Sequence, residues 1–274
     1  MKKKLFLLDA YALIYRAHFA FIKNPRINSN GLNTSAIFGF CNSLLEVINN
    51  HQPTHLAVIF DPPGGSNREE VFVEYKANRQ EMPEDIRKSI PYIFDILKAW
   101  NIPFKMENGF EADDLIGTLA KQAEKKGYQV FMMTPDKDFG QLVSENIFIY
   151  KPGRGGNPSE ILGPKEVCEK FEVERPEQLI DILGLWGDVV DNIPGIPGIG
   201  EKTAKKLIGI YASIENLLAN TEDLKGKQKE NLENFAEQGL ISKQLATIIL
   251  DSPVTFNELE FARREINEKA ITKI

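Results

Sequence analysis

Cysteine is nearly absent: Cys41 and Cys168 are the only two in 274 residues. They lie far apart on helix-like stretches, so neither a disulfide framework nor a thiolate zinc site is indicated. Long apolar runs are missing as well. No stretch reaches the roughly 18 consecutive apolar residues that a membrane-spanning helix needs, and Met1-Lys2-Lys3-Lys4 leads into Leu5-Phe6-Leu7-Leu8, closed at once by Asp9. That start is too short for a secretory leader, so a cytoplasmic location with no membrane partner is expected. The chain also lacks the basic excess usual for a polyanion binder. Its formal net charge is −6, which at first sight argues against a nucleic-acid partner. Apolar residues make up 42%, enough for one large core or for a large and a small one.

What the chain does have is acid gathered where a solvated face would not put it. Phe110-Glu111-Ala112-Asp113-Asp114-Leu115-Ile116-Gly117 is followed, after a strand-like run, by Thr134-Pro135-Asp136-Lys137-Asp138. Two like charges about 5 Å apart repel by roughly 3 kcal/mol at an effective dielectric of about 20, so crowding these acids opposes folding unless something neutralises them. A divalent cation does so. With no His or Cys among the candidates the ion is hard, magnesium or manganese rather than zinc. Setting aside the acids assigned below to such a site leaves the rest of the chain mildly basic, and the net charge then no longer excludes a polyanionic partner. The residues therefore read as those of a metal-dependent phosphodiester hydrolase acting on nucleic acid.

Taken in order, Leu5-Phe6-Leu7-Leu8-Asp9 predicts a short buried strand ending in a carboxylate. A helix carrying Arg16 follows over residues 10–20, and Thr34 can cap a second running through Phe38, Leu44 and Ile48. Leu56 to Phe60, ending in Asp61, and Val130 to Thr134, ending beside Asp136, predict two more strands. Strand and helix patterns alternate, which implies a mostly parallel sheet covered on both faces. Ligands of such sheets bind outside the carboxyl ends of the strands, where all three strands deliver an Asp. In the helix opened by Glu111, the spacing puts Glu111 and Asp114 on one face. Acids in a first helical turn also suit the helix dipole, but that accounts for one or two, not three in four positions.

Between Asp61 and that helix, Gly and Pro flank a charged segment containing Arg68, Tyr75, Lys76 and Arg79, the pattern of a mobile flap beside the strand edge. Its cations suit phosphate oxygens, Arg as a fork and Lys as a point charge. Lys151 to Pro164 reads as a loop crossing to a second, helical unit. There Asp188 and Asp191 are again three apart, followed by Ile193-Pro194-Gly195-Ile196-Pro197-Gly198-Ile199-Gly200-Glu201-Lys202-Thr203-Ala204-Lys205-Lys206. Such a glycine hairpin opening a helix presents backbone N–H groups near Gly198 and Gly200 to an anion. With Lys202, Lys205 and Lys206 it reads as a clamp on a phosphate backbone that positions without reading bases. The last residues, 270–274, stop inside an amphipathic pattern with no helix-ending Gly or Pro, as expected of a piece of a longer chain.

Phe110 to Asp114, Thr134 to Asp138, Tyr75-Lys76-Ala77-Asn78-Arg79 and Gly187-Asp188-Val189-Val190-Asp191-Asn192-Ile193-Pro194-Gly195 together resemble, in order and spacing, the 5′-3′ exonuclease domain of bacterial DNA polymerase I, a member of the flap endonuclease family. The resemblance covers nearly the whole chain. It implies a PIN-like α/β nuclease core over 1–168, a mostly parallel sheet flanked by helices, and an all-helical DNA-binding domain over 169–274 with a helix-three-turn-helix (helix-hairpin-helix type) element. It further implies that Asp9, Asp61, Glu111, Asp113, Asp114, Asp136, Asp138, Asp188 and Asp191 surround two or more Mg2+ or Mn2+ ions. Arg16, Lys76 and Arg79 would stand near the scissile phosphate, and the hairpin would grip duplex DNA, in relatives with a bound K+. The implied partner is 5′-flap or nicked duplex DNA, handled by a monomer, with a polymerase domain expected in the same longer chain. The sequence departs from the family at Asn67, where many relatives carry an aromatic residue, and at Val189-Val190, which replaces a small polar pair.

Of the metal ligands, Asp9, Asp61, Glu111 and Asp113 are expected on the proximal ion, Asp114 shared or acting through water, and the remaining four more distal. Two rivals stand beside this reading. A DNA-binding module without catalysis would use the hairpin alone, and a PIN-type ribonuclease would hardly need the helices after residue 170. An aspartyl-nucleophile phosphatase calls for Asp-x-Asp after the first strand, which Asp9-Ala10-Tyr11 lacks.

Overall fold

The structure, a computed structural model, describes residues 3–153 and 157–272. Six strands, β1 (Lys4–Asp9), β2 (His55–Ile59), β3 (Phe104–Lys105), β4 (Gln129–Met133), β5 (Ile147–Lys151) and β6 (Glu160–Leu162), form one sheet in the order β3-β2-β1-β4-β5-β6. Every pairing is parallel except β5 with β6. The continuous apolar runs are explained by burial on both faces. Alternate residues divide between two cores: Leu5, Leu7, Ala57, Ile59, Val130 and Met132 face one way, and Phe6, Leu8, Leu56, Val58, Phe131 and Met133 the other.

The second of these faces is covered by α1 (Ala10–Ala20) and α2 (Ser35–Glu46), which continues as a π-helical turn to His51, and, after the single turn α3 (Arg68–Val71), by α4 (Glu84–Ala99). The first face meets α5 (Ala112–Lys125), which buries Leu115, Ile116, Leu119, Ala120 and Ala123. Beyond β6 come α6 (Pro164–Phe171), α7 (Leu179–Trp186), α8 (Glu201–Tyr211), α9 (Ile214–Ala219), α10 (Gly226–Asn234) and α11 (Ala236–Ala246), then the short α12 (Glu258–Phe261) and α13 (Glu268–Ile271). Their apolar residues join the core under α5 without a break.

Three local expectations are corrected. Glu160–Leu162, read as loop, pairs with β5 as an edge strand, with Tyr150 opposite Ile161; part of that connection, 154–156, lies outside the described residues. Thr34 holds the cap position of α2, but its hydroxyl donates to the Arg26 carbonyl (3.0 Å) and makes no cap bond. Residues after α11 do not stay with the helical unit. They return across α5, where the Gln122 side chain donates to Val254 O (2.9 Å) and accepts from Phe256 N (2.7 Å), and the bridge between His55 and Ala262 carries them to β2. The helix expected through 274 is described only as far as Ile271, and residues 273 and 274 lie outside the described residues. No helix among the described residues is long and apolar enough to cross a membrane.

Strand order reverses direction at β1: the chain steps from it to β2 on one side and later to β4 on the other. Crevices of this kind open at the carboxyl ends of the flanking strands, and Asp9, Asp61 and Asp136 all stand at that edge.

Candidate active site

Each strand-end acid is fixed by its neighbours. Asp9 closes β1 and caps α1, its Oδ1 accepting from Ala12 N (3.2 Å) and its Oδ2 from Thr134 Oγ1 (3.0 Å). Asp61 Oδ1 accepts from Ala112 N (2.9 Å), which ties the end of β2 to the start of α5. Past β4, Asp136 Oδ1 accepts from Asp138 N (3.0 Å). The capping residue of α5 is Glu111. It accepts from Ser66 Oγ (2.9 Å), Tyr75 OH (3.1 Å) and Lys76 Nζ (2.6 Å), so the segment after Asp61 docks directly on it.

Two further acids, Asp188 and Asp191, arrive on a tight turn between α7 and α8. Asp188 and Ile193 pair antiparallel, and Asp188 Oδ1 accepts from Val190 N (2.7 Å). The turn closes only because Gly195 takes φ +60° and has no side chain: a Cβ there would stand 2.5 Å from Gly187 N. Asp191 receives Arg79 Nη2 (2.5 Å) and lies 3.7 Å from Lys76 Nζ. Asn78 Nδ2 and Asn192 Nδ2 donate to Val189 O (2.7 Å) and Glu74 O (2.6 Å). The segment expected as a mobile flap is thus pinned at both ends of the site.

Charge repulsion is written into these acids. Burial first, and then the charge of Asp61, pushes Asp9 up to about 7. Asp138 is pushed up to about 8 by burial and by Asp136. Partial desolvation raises the half-buried Asp61 and Asp113, and desolvation by its crowded surroundings raises Asp136 as well, although its side chain reaches solvent. Two acids go the other way. Burial disfavours the charge on Glu111, yet Lys76 and Arg68 hold it below the usual carboxylate range, and Lys137 does the same for Asp188. The acids therefore sense one another across five chain segments.

A hard divalent cation suits this donor set. The ligating atoms are all carboxylate oxygens, and Asp138 Oδ1 is buried with no hydrogen-bond partner. Among the described residues no three acidic side chains stand ready-made around a single point. Lys76, Arg79 and Lys137 lie between them, supplying the positive charge that the crowded carboxylates require.

Other expected residues lie elsewhere. Asp114, expected to share a metal ion, is fully buried and saturated. It accepts from Arg68 Nη2 (2.7 Å) and Nη1 (2.8 Å), from Ile249 N (2.8 Å) and from Glu111 N (3.1 Å). Arg68, expected on phosphate, is 6% exposed and also donates to Leu245 O (3.0 Å) and Thr247 O (2.9 Å). It is the rivet joining α3, α5 and the end of α11. Tyr75, expected on DNA, is 4% exposed with its hydroxyl on Glu111. Arg16 donates to the carbonyls of Pro152 (3.4 Å) and Gly153 at the end of β5.

At the hairpin, Gly198 has φ +79° and Gly200 caps α8. Lys202 and Lys206 are exposed, but Lys205 is tied down by Glu201 (2.9 Å) and Lys170 O (3.0 Å). Residues the sequence reading passed over include Thr134, which holds Asp9, Ser66, which holds Glu111, and Lys137 on Asp188. Only Lys137 carried a signal, its place between Asp136 and Asp138.

Residues 4–172 match the family model described as the 5′-3′ exonuclease N-terminal resolvase-like domain, and 174–269 the 5′-3′ exonuclease C-terminal SAM fold. DNA polymerase I of Bacillus caldotenax is 41% identical over 99% of this chain, which spans 31% of that protein's length. A 5′-3′ exonuclease of Aquifex aeolicus is 37% identical, covering 97% of this chain and 89% of its own. Among solved structures, the bacteriophage T5 flap endonuclease complexed with DNA and metal ions shares the fold at TM-score 0.74, 21% identity and 89% coverage of both chains. With both family models matched in sequence and a relative nearly as long aligned along its length, the chain belongs to the 5′-3′ exonuclease family.

Proposed function

We propose that this chain is a divalent-metal-dependent, structure-specific 5′-3′ exonuclease and 5′-flap endonuclease that hydrolyses DNA phosphodiester bonds, as in primer removal and repair. The observation that carries the reading is the convergence of acids from three strand ends, the start of α5 and the turn after α7 on one sheet edge. In this reading Asp9, Asp61, Glu111 and Asp113 hold one ion, and Asp136, Asp138, Asp188 and Asp191 the more distal charge. The ions are magnesium or manganese. When bound there, such ions would lower the pKa of a water and stabilise the attacking and departing oxygens.

The protein's own residues do the rest. Lys76 and Arg79, which reach the acids from one segment, exchange their carboxylate partners for the phosphate and stabilise charge developing on its oxygens. Arg16, once released from the carbonyls of Pro152 and Gly153, adds a further phosphate contact. Glu111, held ionised by Lys76 and Arg68, stays a ligand at neutral pH while its neighbours are poised to lose protons to an incoming cation. The hairpin at Gly198 and Gly200 with Lys202 and Lys206 grips a duplex backbone, with a potassium ion at the turn. Chemistry then draws on residues 1–168 together with Asp188 and Asp191 on the turn after α7, and grip on the hairpin and helices that follow that turn. The protein acts as a cytoplasmic monomer, and a polymerase domain accompanies this one in a longer chain. The test is product mapping on a labelled 5′-flap duplex. Release of short 5′ products with magnesium and none with EDTA is expected; intact DNA in both arms refutes it.

A further inference from the structure

Lys137 does not behave like the other cations of the site. Lys76 and Arg79 come from the segment after Asp61 and reach the acids from outside the sheet. Lys137 lies in the backbone loop at the end of β4, between two acids, and spans to a different element: its ammonium bonds Asp188 Oδ2 and stands 3.7 Å from Asp138 Oδ1. That second oxygen is buried and has no hydrogen-bond donor. Behind it, the ammonium lies 5.4 Å from the centre of the Trp186 ring, a packing that favours a cation and holds the side chain against the α7 end of the Asp188 turn.

We infer that Lys137 is a built-in cation of the distal acid group, occupying charge that a second divalent ion would otherwise use, and so a positioning residue that sets how weakly that second ion binds. This rests on the metal-dependent reading above. Four acids, Asp136, Asp138, Asp188 and Asp191, would form a strong distal site if they stood alone. With Lys137 fixed on Asp188, the nearest electrostatic partner of that carboxylate is a side chain, and the distal ion is held by what remains. Lys76 and Arg79 can transfer to phosphate. Lys137, with Asp136 and Asp138 on either side and Trp186 behind, keeps its place, so its charge opposes the distal ion in the DNA-bound state as well. The consequence is a site with one tight and one weak ion, in which the weak ion is retained only when the phosphate oxygens add their own charge.

The test is Mn2+ binding to the DNA-free protein by titration calorimetry, with bound Mn2+ counted by electron paramagnetic resonance. Lys137→Met keeps the aliphatic stem on Trp186 and removes the charge. It is expected to tighten the weaker Mn2+ site at least tenfold, while Lys137→Arg binds as wild type does. Unchanged or weaker binding by Lys137→Met overturns the inference. A second comparison stands if that variant folds poorly. Lys137→Gln, which keeps a donor for Asp188 Oδ2 without the positive charge, is expected to tighten the same weaker site at least tenfold. Wild-type affinity in a folded Lys137→Gln overturns the inference. Wild-type protein that binds no Mn2+ refutes the metal reading itself. Wild type binding two ions, with no tightening in Lys137→Met, refutes only the role of Lys137.

Discussion

Removing divalent metal should leave a protein whose stability falls as pH rises, the reverse of ordinary carboxylate behaviour. Asp9 and Asp138 have their pKa pushed up to about 7 and about 8 from 3.8, burial being the larger cause in both. A carboxyl whose folded pKa lies above its unfolded value favours the folded state while protonated. That contribution is complete below the unfolded pKa and is lost as pH climbs through the folded pKa. The window therefore runs from about pH 4 to about pH 8. At roughly 1.4 kcal/mol per pKa unit, Asp9 alone accounts for about 4 kcal/mol. Asp138 adds less than a second such amount, because it titrates together with Asp136 and the steps belong to the group. Of a total of about 4–6 kcal/mol over the whole window, about 3–5 kcal/mol is lost between pH 5 and pH 8, which at about 2–4 °C per kcal/mol for a chain of this size implies a Tm in EDTA roughly 6–20 °C lower at pH 8 than at pH 5. Saturating magnesium should abolish most of that slope, since a bound cation stabilises the ionised acids instead. Differential scanning fluorimetry from pH 5 to 8, with EDTA and with 10 mM magnesium as a working concentration, reads both curves. A flat profile in EDTA, or one that rises with pH and is unmoved by magnesium, would mean that these acids are not crowded in one pocket.

Three further outcomes follow from the same geometry. Arg68→Met strands the buried Asp114 carboxylate and should cost about 3–5 kcal/mol, measured by urea unfolding; a loss under 1 kcal/mol would show that the rivet between α3, α5 and α11 is dispensable. Asp113→Ala should leave the melting temperature and flap-DNA binding near wild type while cleavage falls by about three orders of magnitude, roughly 4 kcal/mol of barrier, and wild-type turnover in single-turnover assays would remove Asp113 from the site. Replacing Lys202 and Lys206 by Ala should weaken duplex binding and reduce the slope of log affinity against log salt by about 2, whereas an unchanged slope in fluorescence anisotropy would place the grip elsewhere.

The placement of Asp9, Asp61 and Asp136 at one sheet edge was legible because a carboxylate ending a run such as Leu5-Phe6-Leu7-Leu8 has few other reasons to be there, and sheet topology brings strand ends together whatever the loops do. Helix spacing was read correctly too: Glu111 and Asp114 do share a face, and one Arg68 guanidinium meets both, at 3.4 Å and 2.7 Å. What spacing cannot give is the partner. An acid satisfied by a buried arginine and one satisfied by an ion look alike along a chain, and the difference was decided by Leu245 and Thr247, over 170 residues from Arg68, whose carbonyls fix the guanidinium. The edge strand β6 was hidden for a related reason. Its pairing lies in Tyr150 opposite Ile161, across a connection whose Gly and Pro content reads as loop.

The same logic explains why cations and acids are interleaved here. Folding must bury Glu111, Asp114 and Asp188 before any metal arrives, and an unpaired buried charge costs several kcal/mol. The chain meets that cost in two ways. Arg68 and Asp114 form a permanent pair with every acceptor filled, which locks the helical unit to α5. Lys76, on Glu111, is partly exposed on the segment after Asp61. A residue in that position can neutralise the acids during folding and be displaced later, so the order of events is set by burial: the inaccessible pair holds the scaffold, and the accessible one yields to metal and phosphate. Exchanging the two arrangements by sequence alone would give either a site too stable to load or one that does not fold in the absence of metal.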